Sequence, residues 1–252
     1  MAESSCGAES ALPPAGEAHL WCLDPALVDS VSATRAWLAR LPDDERARYE
    51  TYRTPSSSNQ YLATRALVRT VLSRYCGLAV ERLRFSASPS GRPELALPVS
   101  PNLRFSLSNT RGLVVVLVAS VREVGVDAEE MAPLDVLEIA DRFFASVESQ
   151  ELRDLAEPER SSRFFELWTL KEAYLKARGL GVFTLPLAEI SFGRTVAGAV
   201  SPDFGPAIAD DPRAWQFDLL RLTEKHAVAT CVARGDGDAR IVVRRLEAAD
   251  IL

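Results

Sequence analysis

The apolar residues of this chain change between helical and strand-like spacing several times. Residues 60–75 carry apolar side chains at helical spacing, and Gly77 follows, so the pattern predicts an amphipathic helix that ends there. Residues 164–181 predict a second helix, which is apolar on more than one side. Alternating or continuous apolar runs predict strands at 83–87, 103–107, 113–118, 124–126, 185–192, 215–222, 226–233 and 241–246.

The order of these elements occurs twice. Each of the two helices is followed by one strand and then by a pair of strands, which predicts two similar α+β halves packed on each other. We divide the chain into a disordered leader at 1–18, an N-terminal half at 19–122 and a C-terminal half at 123–252. Carboxylates of one half could then meet arginines of the other in a cleft, a common place for ligands.

Composition and charge exclude several classes of protein. The 252 residues are 47% hydrophobic, enough for one large domain or two smaller ones, and the net charge of −6 argues against nucleic acid as the main partner. Cys6, Cys22, Cys76 and Cys231 share no metal-ligand spacing, which fits a reduced, cytoplasmic protein. Neither a signal peptide nor an apolar stretch of transmembrane length occurs, so we expect no membrane partner.

The strand predicted at 124–126 ends in two carboxylates. Asp127 and Glu129 point to the same side of an extended chain, because side chains repeat every two residues. Two carboxylates on one side repel each other unless a cation lies between them, and Mg²⁺ with its oxygen ligands would suit. The alternative is an acidic turn that caps the next helix.

The helix predicted at 164–181 carries a carboxylate and an ammonium on one face. Trp168, Glu172 and Lys176 are spaced four residues apart and therefore lie along the same side. One interpretation is an ordinary Glu–Lys pair on a solvated face. The other is a site in which Glu172 handles a metal or a proton and Lys176 binds an anion.

Two arginine-bearing segments could bind an anion. Arg46, Arg48 and Arg53 are interleaved with tyrosines, either as an anion-facing edge or as a solvated helix face. The turn at 88–93 holds Arg92 beside flexible backbone, where its guanidinium and nearby N–H groups could bind a phosphate or simply lie on the surface. His226 begins a predicted strand, and we interpret it as structural.

Together these segments resemble the Sfp-type 4′-phosphopantetheinyl transferases. Residues 124–130, VGVDAEE, match that family's G-(V/I)-D-x-E strand end, and residues 168–179, WTLKEAYLKARG, match its W-(T/S)-x-K-E-(A/S)-x-x-K-x-x-G helix. Upstream, residues 91–93 match the family's G-K-P turn, and residues 105–110, FSLSNT, match F-N-x-S-H-(T/S). The four motifs occur in the right order and cover roughly residues 46–192, which makes the resemblance specific.

The resemblance implies an α+β fold of two pseudo-symmetric α/β halves, with coenzyme A and Mg²⁺ in the cleft between them. The family transfers 4′-phosphopantetheine from coenzyme A to a serine hydroxyl of an apo acyl or peptidyl carrier protein. The implied metal ligands are Asp127, Glu129 and Glu172. Glu172 is also the implied base for the serine, and Lys176 the implied ligand of the diphosphate. The implied coenzyme A ligands are Arg48, Arg92, Ser108 and Asn109.

Two positions depart from the family pattern. Asn109 replaces a histidine and cannot carry charge. We therefore expect either a lower affinity for coenzyme A or a binding contribution from Arg92 or Arg111 in place of the histidine. Arg92 replaces a lysine, which keeps the charge and permits bidentate binding of a phosphate. We therefore expect an active, monomeric, Mg²⁺-dependent transferase of the holo-acyl-carrier-protein synthase type. The alternatives are a catalytically silent homologue that binds coenzyme A or a carrier protein, and an Mg²⁺-dependent nucleotide diphosphate hydrolase.

Overall fold

The computed structural model describes residues 12–88, 91–96, 102–120, 123–132, 134–181, 184–196 and 198–251. Most of the leader predicted at 1–18 lies outside these residues, as does Cys6. The first strand, β1, spans Glu17–Leu23 and so begins slightly before the boundary predicted at residue 19. In this described part of the chain, no helix is long and apolar enough to cross a membrane.

The first half contains a long central helix, α3, with two β-hairpins after it. Thr54 caps α3 by accepting a hydrogen bond from the Ser57 amide, and Pro55 supplies the fixed φ of a first helical residue. Gly77 ends the helix in the left-handed conformation, as predicted. The elements of this half are β1, α1 (Val31–Arg40), α2 (Asp43–Glu50), α3 (Pro55–Cys76), β2 (Phe85–Ala87), β3 (Pro93–Leu95), β4 (Arg104–Thr110) and β5 (Leu113–Ala119).

The second half repeats this order around its own central helix, α6. The strand predicted at 185–192 begins only at Ile190, because Leu187–Glu189 form a 3₁₀ turn after Pro186. The elements are β6 (Val124–Glu130), α4 (Leu137–Phe143), α5 (Ser146–Asp154), α6 (Glu159–Ala177), β7 (Ile190–Arg194), β8 (Val200–Phe204), β9 (Trp215–Thr223) and β10 (His226–Ala233). The prediction of an α+β fold is confirmed.

The last two elements of the chain return to the first half. Strand β11 (Arg240–Arg245) pairs in parallel with β1, and helix α7 (Ala248–Ile251) follows it. The first sheet has the order β11-β1-β5-β4, whereas the second has the order β6-β10-β9. The division at 122/123 therefore places β11 with the second half, although its hydrogen bonds lie in the first sheet. Local sequence pattern cannot reveal such a long-range pairing, because a strand shows the same alternation beside any partner.

Strand β5 explains how the halves are joined. Val114, Val116 and Val118 face a core formed with α3, whereas the alternate residues Val115 and Leu117 belong to a second core shared with the other sheet. A strand buried on both faces is apolar throughout, which accounts for its continuous β-branched run. The shared core brings β4 and β5 of the first half against β6 of the second. That seam holds the candidate site.

Candidate active site

Strand β6 and helix α6 approach each other so closely that only glycine fits between them. A Cβ atom on Gly125 would lie 1.9 Å from the carbonyl oxygen of Ala173 and 2.5 Å from the amide nitrogen of Ala177. The glycine of the strand motif thus sets the distance between the β6 carboxylates and α6. Asp127 and Glu129 follow it on the same strand.

Lys176 of α6 joins the two halves at Asp127. Its Nζ donates to Asp127 Oδ1 at 2.7 Å and to Ser108 Oγ of β4 at 2.9 Å. Ser108 Oγ in turn donates to the same Asp127 oxygen at 2.9 Å. Ammonium, hydroxyl and carboxylate therefore form a closed triangle across three elements, and charge assistance strengthens the contact between Lys176 and Asp127. Lys176 is paired with the strand, and not with Glu172 as in the solvated-face interpretation.

Glu129 and Glu172 complete an acidic cluster beside this triangle. The pKa of each is raised from 4.5 to about 7: burial is the largest cause, the neighbouring Asp127 charge adds to it, and Lys176 acts in the opposite direction. Thr110 donates from its hydroxyl to Glu129 Oε2 at 3.4 Å. Three carboxylates thus share one ammonium, and additional positive charge here would stabilise their ionised forms.

The donor set fits a hard divalent cation. Asp127 Oδ2 is buried and has no hydrogen-bond partner among the described residues, so one carboxylate oxygen is unsatisfied unless a ligand binds it. Among the residues that the structure describes, no three His, Cys, Asp or Glu side chains are already gathered in a metal-binding geometry. A cation held by Asp127, Glu129 and Glu172 would therefore require some of these side chains to rotate. Carboxylate oxygens are the ligands that Mg²⁺ prefers.

A cavity of about 820 Å³ lies on the first-half side of the cluster. Its walls come from α2, the first turns of α3, β2 and the turn between β4 and β5. Arg48 and Asn109, both predicted to bind coenzyme A, line it, and so do Arg65, Arg111 and Thr110. Three arginines around one opening favour an anionic ligand.

Arg65 lies at the wall of this cavity, although no role for it is predicted from the sequence. Its Nη1 lies 3.5 Å from Glu45 Oε1, its guanidinium covers the Tyr61 ring, and its Nε is buried without a hydrogen-bond partner. A buried N–H with no acceptor at a cavity wall is a free donor for an anion. The sequence signal was present, because Arg65 lies four residues before Arg69 on α3, but nothing local shows that α2 and β2 build a cavity around it.

Arg92 lies outside this cavity. Its guanidinium donates to Glu123 Oε2 at 3.0 Å, to the Phe105 carbonyl at 3.3 Å and to the Ala177 carbonyl at the end of α6 at 3.4 Å. It lines a smaller pocket of about 230 Å³, which Lys176 also borders. Arg92 therefore ties the β2–β3 hairpin to the second half, and its predicted role at a coenzyme A phosphate stays a prediction.

Comparison with known proteins identifies the family. Residues 123–231 match the family model described as the 4′-phosphopantetheinyl transferase superfamily. The chain is also 34% identical over 223 residues to the 4′-phosphopantetheinyl transferase HetI of Nostoc, covering 88% of this chain and 89% of HetI. The chain belongs to the 4′-phosphopantetheinyl transferase superfamily.

Other relatives define its branch. This transferase is 27% identical over 200 residues to the 4′-phosphopantetheinyl transferase Sfp of Bacillus subtilis, covering 79% of this chain and 85% of Sfp. The coenzyme A complex of Helicobacter pylori holo-acyl-carrier-protein synthase covers 44% of this chain and 99% of that one, with 20% identity and a TM-score of 0.37, at which the likeness supports no argument. The prediction that the chain is an Sfp-type transferase is confirmed. The prediction that it is of the holo-acyl-carrier-protein synthase type is not confirmed.

Proposed function

We propose that this protein transfers 4′-phosphopantetheine from coenzyme A to a serine hydroxyl of an apo acyl or peptidyl carrier protein. The observation that carries the proposal is the meeting of Asp127, Glu129, Glu172 and Lys176 beside an arginine-lined cavity, in a member of this family. The other product is adenosine 3′,5′-bisphosphate. This transfer needs neutralisation of charge at the diphosphate and a base for the serine hydroxyl. The cluster contains an ammonium for the first need and carboxylates for the second.

Mg²⁺ is the cation that we propose for the carboxylate cluster. Asp127, Glu129 and Glu172 would hold it, and the unpartnered Asp127 Oδ2 supports this choice. When bound, the cation would supply neutralising charge to the phosphoryl oxygens and lower the cost of ionising three neighbouring carboxylates. It also explains why a buried site would keep so much negative charge.

Glu172 and Lys176 are the proposed catalytic residues. Glu172 accepts the proton of the carrier serine, either directly or through a water molecule, as the serine oxygen bonds to phosphorus. The phosphorus–oxygen bond of the diphosphate breaks, and the electron pair leaves with adenosine 3′,5′-bisphosphate. Lys176 stabilises the charge that develops on this leaving group. Because a metal-bound glutamate is a weak base, the gain from Glu172 comes mainly from its position.

The 820 Å³ cavity is the proposed site of the nucleotide end of coenzyme A. Arg48, Arg65 and Arg111 would bind its phosphates, and Asn109 would donate a neutral hydrogen bond where the family has a histidine. Ser108 would contact the diphosphate from its place beside Lys176. Arg92 would contribute to coenzyme A binding only if its guanidinium gave up the ion pair with Glu123 for a phosphate.

Intact-protein mass spectrometry of an apo carrier protein tests the proposal. Incubation with this protein, coenzyme A and Mg²⁺ should add one phosphopantetheine to the carrier, and EDTA should prevent the addition. Intact coenzyme A with no addition to fatty-acid, polyketide or peptide carriers would indicate a silent binding protein. Consumption of coenzyme A with an unmodified carrier would indicate a hydrolase. The natural carrier, the cytoplasmic location and the monomeric state stay predictions.

A further inference from the structure

Strand β4 presents three hydroxyls to strand β6 of the other half. Ser106, Ser108 and Thr110 are two residues apart and therefore face the same side of the strand. Ser106 Oγ accepts from the Val126 amide at 3.1 Å, and Ser108 Oγ donates to Asp127. The hydroxyls of Ser106 and Ser108 thus contact successive residues of β6, and Thr110 lies at the end of the row nearest Glu129.

The two contacts of Thr110 fix the direction of its proton. Its Oγ1 accepts from the Glu130 amide at 3.0 Å, which occupies a lone pair. A hydroxyl has only one hydrogen, and Glu129 Oε2 at 3.4 Å is the acceptor that the structure gives it. Because threonine is branched at Cβ, its side chain is also stiff about χ1. The 3.4 Å contact is long for an O–H···O hydrogen bond, but through it the Thr110 hydroxyl connects the Glu129 carboxylate to the main chain of its own strand and to β4.

The turn that carries Thr110 is itself held by the second half. His226 of β10 contacts the Arg111 carbonyl through Nε2 at 2.7 Å and Thr223 Oγ1 through Nδ1 at 2.6 Å. His226 is buried, and Gly112 with φ +76° lies against its ring. Thr110 is consequently fixed on both sides, by β6 through its hydroxyl and by β10 through the next residue.

We propose that Thr110 is a positioning residue that orients Glu129 to bind the divalent cation. The inference rests on the proposed function, because it takes Glu129 to be a metal ligand. Glu129 comes from the second half and Thr110 from the first, so this support of the Glu129 carboxylate exists only when the two halves are docked. Hydrogen bonds to a ligating carboxylate commonly tune metal affinity in this way.

Titration of the folded protein with Mg²⁺, without coenzyme A or a carrier protein, tests this role. We expect Thr110→Val, measured by isothermal titration calorimetry, to weaken Mg²⁺ binding about tenfold or more, since the loss of such a contact typically costs that much. Thr110→Ser keeps the hydroxyl and should bind Mg²⁺ within about twofold of wild type. The Mg²⁺ concentration for half-maximal carrier modification should rise in parallel for Thr110→Val alone.

Ser106→Ala is the matched control. Ser106 belongs to the same row of hydroxyls but bonds only a backbone amide, so its loss should lower stability and leave Mg²⁺ affinity unchanged. Unchanged Mg²⁺ affinity in Thr110→Val, or an equal loss in Ser106→Ala, would overturn the proposal. Should Thr110→Val fail to fold, Thr110→Ala replaces it with the same expected result. A wild-type protein that modifies carriers but binds no Mg²⁺ would remove the metal assignment, and this proposal with it, while leaving the transfer reaction standing.

Discussion

Each central helix buries one cation against a carboxylate from the helix before it. In the first half, Arg69 of α3 donates from Nε to Glu45 Oε2 of α2 at 2.9 Å. In the second half, Lys171 Nζ of α6 lies 2.7 Å from Glu148 Oε2 of α5. Both cations are almost fully buried, with 1% and 0% of their surfaces exposed, and both stand at the same spacing before the glycine that ends their helix.

The surroundings of the two cations also correspond. Each donates to two backbone carbonyls in the segment after its helix and lies against a phenylalanine of the next strand, Phe85 or Phe192. The carbonyls belong to Val80 and Leu83 for Arg69, and to Leu187 and Ile190 for Lys171. A buried cation satisfied in this way fixes a helix relative to the helix before it and the hairpin after it. The two halves therefore share the order of their elements and also the buried contacts that hold each central helix in place.

The chemistry lies at the positions where the two scaffolds differ. The residue after the buried cation is Thr70 on α3 but Glu172 on α6, and the cation in the last turn is Arg74 or Lys176. Arg74 faces Asp250 at the surface, whereas Lys176 faces the seam between the halves. The fold thus supplies two equivalent frames, and the carboxylates of the proposed active site lie in the one whose helix faces the seam.

Glu172→Gln should have the largest effect. The change is nearly isosteric but removes the proposed base and one proposed metal ligand, so we expect transfer to fall by about two to four orders of magnitude in a folded protein. Thr70→Ser, at the corresponding position of α3, should leave transfer unchanged. The measurement is the rate of carrier modification by mass spectrometry. Transfer by Glu172→Gln at close to the wild-type rate would remove Glu172 from the mechanism.

Loss of the carboxylate from each buried ion pair should lower the free energy of unfolding by a different amount. Glu148→Ala should lower the free energy of unfolding by about 3–5 kcal/mol, because it strands Lys171 in the core and also loses the hydrogen bonds that Glu148 accepts from the Ala145 and Phe192 amides. Glu45→Ala should cost less, since Glu45 lines the cavity and the loss of its side chain would open a path for water to Arg69. Denaturant unfolding of both variants measures the difference, and equal costs would contradict it.

Gly125→Ala should separate the close helix–strand contact of the second half. The added Cβ would overlap the Ala173 carbonyl, so we expect a loss of about 3 kcal/mol in the free energy of unfolding. Gly193→Ala is the control, because a Cβ there meets nothing within 4 Å. Thermal and denaturant unfolding report both variants. A stable Gly125→Ala protein would show that α6 can move away from β6 at little cost.

The pH dependence of stability should be specific to the second half. Because burial raises the pKa of Glu129 and Glu172 from 4.5 to about 7, the magnesium-free native state keeps protons that the unfolded chain releases. The free energy of unfolding should therefore fall as pH rises from 4.5 to about 7. The double variant Glu129→Gln/Glu172→Gln should lose this dependence, and Mg²⁺ should stabilise the wild type more above pH 7 than near pH 4.5. Melting temperatures across this range provide the check, and identical profiles for the two proteins would refute it.

Local pattern predicted much of the candidate site. The spacing of Glu172 and Lys176, and the alternation of Asp127 and Glu129, depend only on helix and strand periods, which neighbouring residues set. The partners of these residues depend on contacts between distant segments. The motif that contains Thr110 did not reveal its contact with Glu129. No local pattern predicted the ion pair between Arg92 and Glu123.

The amino-acid pattern alone predicted the duplicated order of elements, the family, and the helix and strand that carry the acidic and basic groups. It did so because periodicity, turn residues and short motifs are properties of adjacent positions. Contacts between distant segments set the remaining features: β4 lies against β6, Lys176 pairs with Asp127, and β11 returns to β1. These pairings depend on which buried surfaces fit each other after the chain folds back over long distances, and many arrangements share the same local pattern.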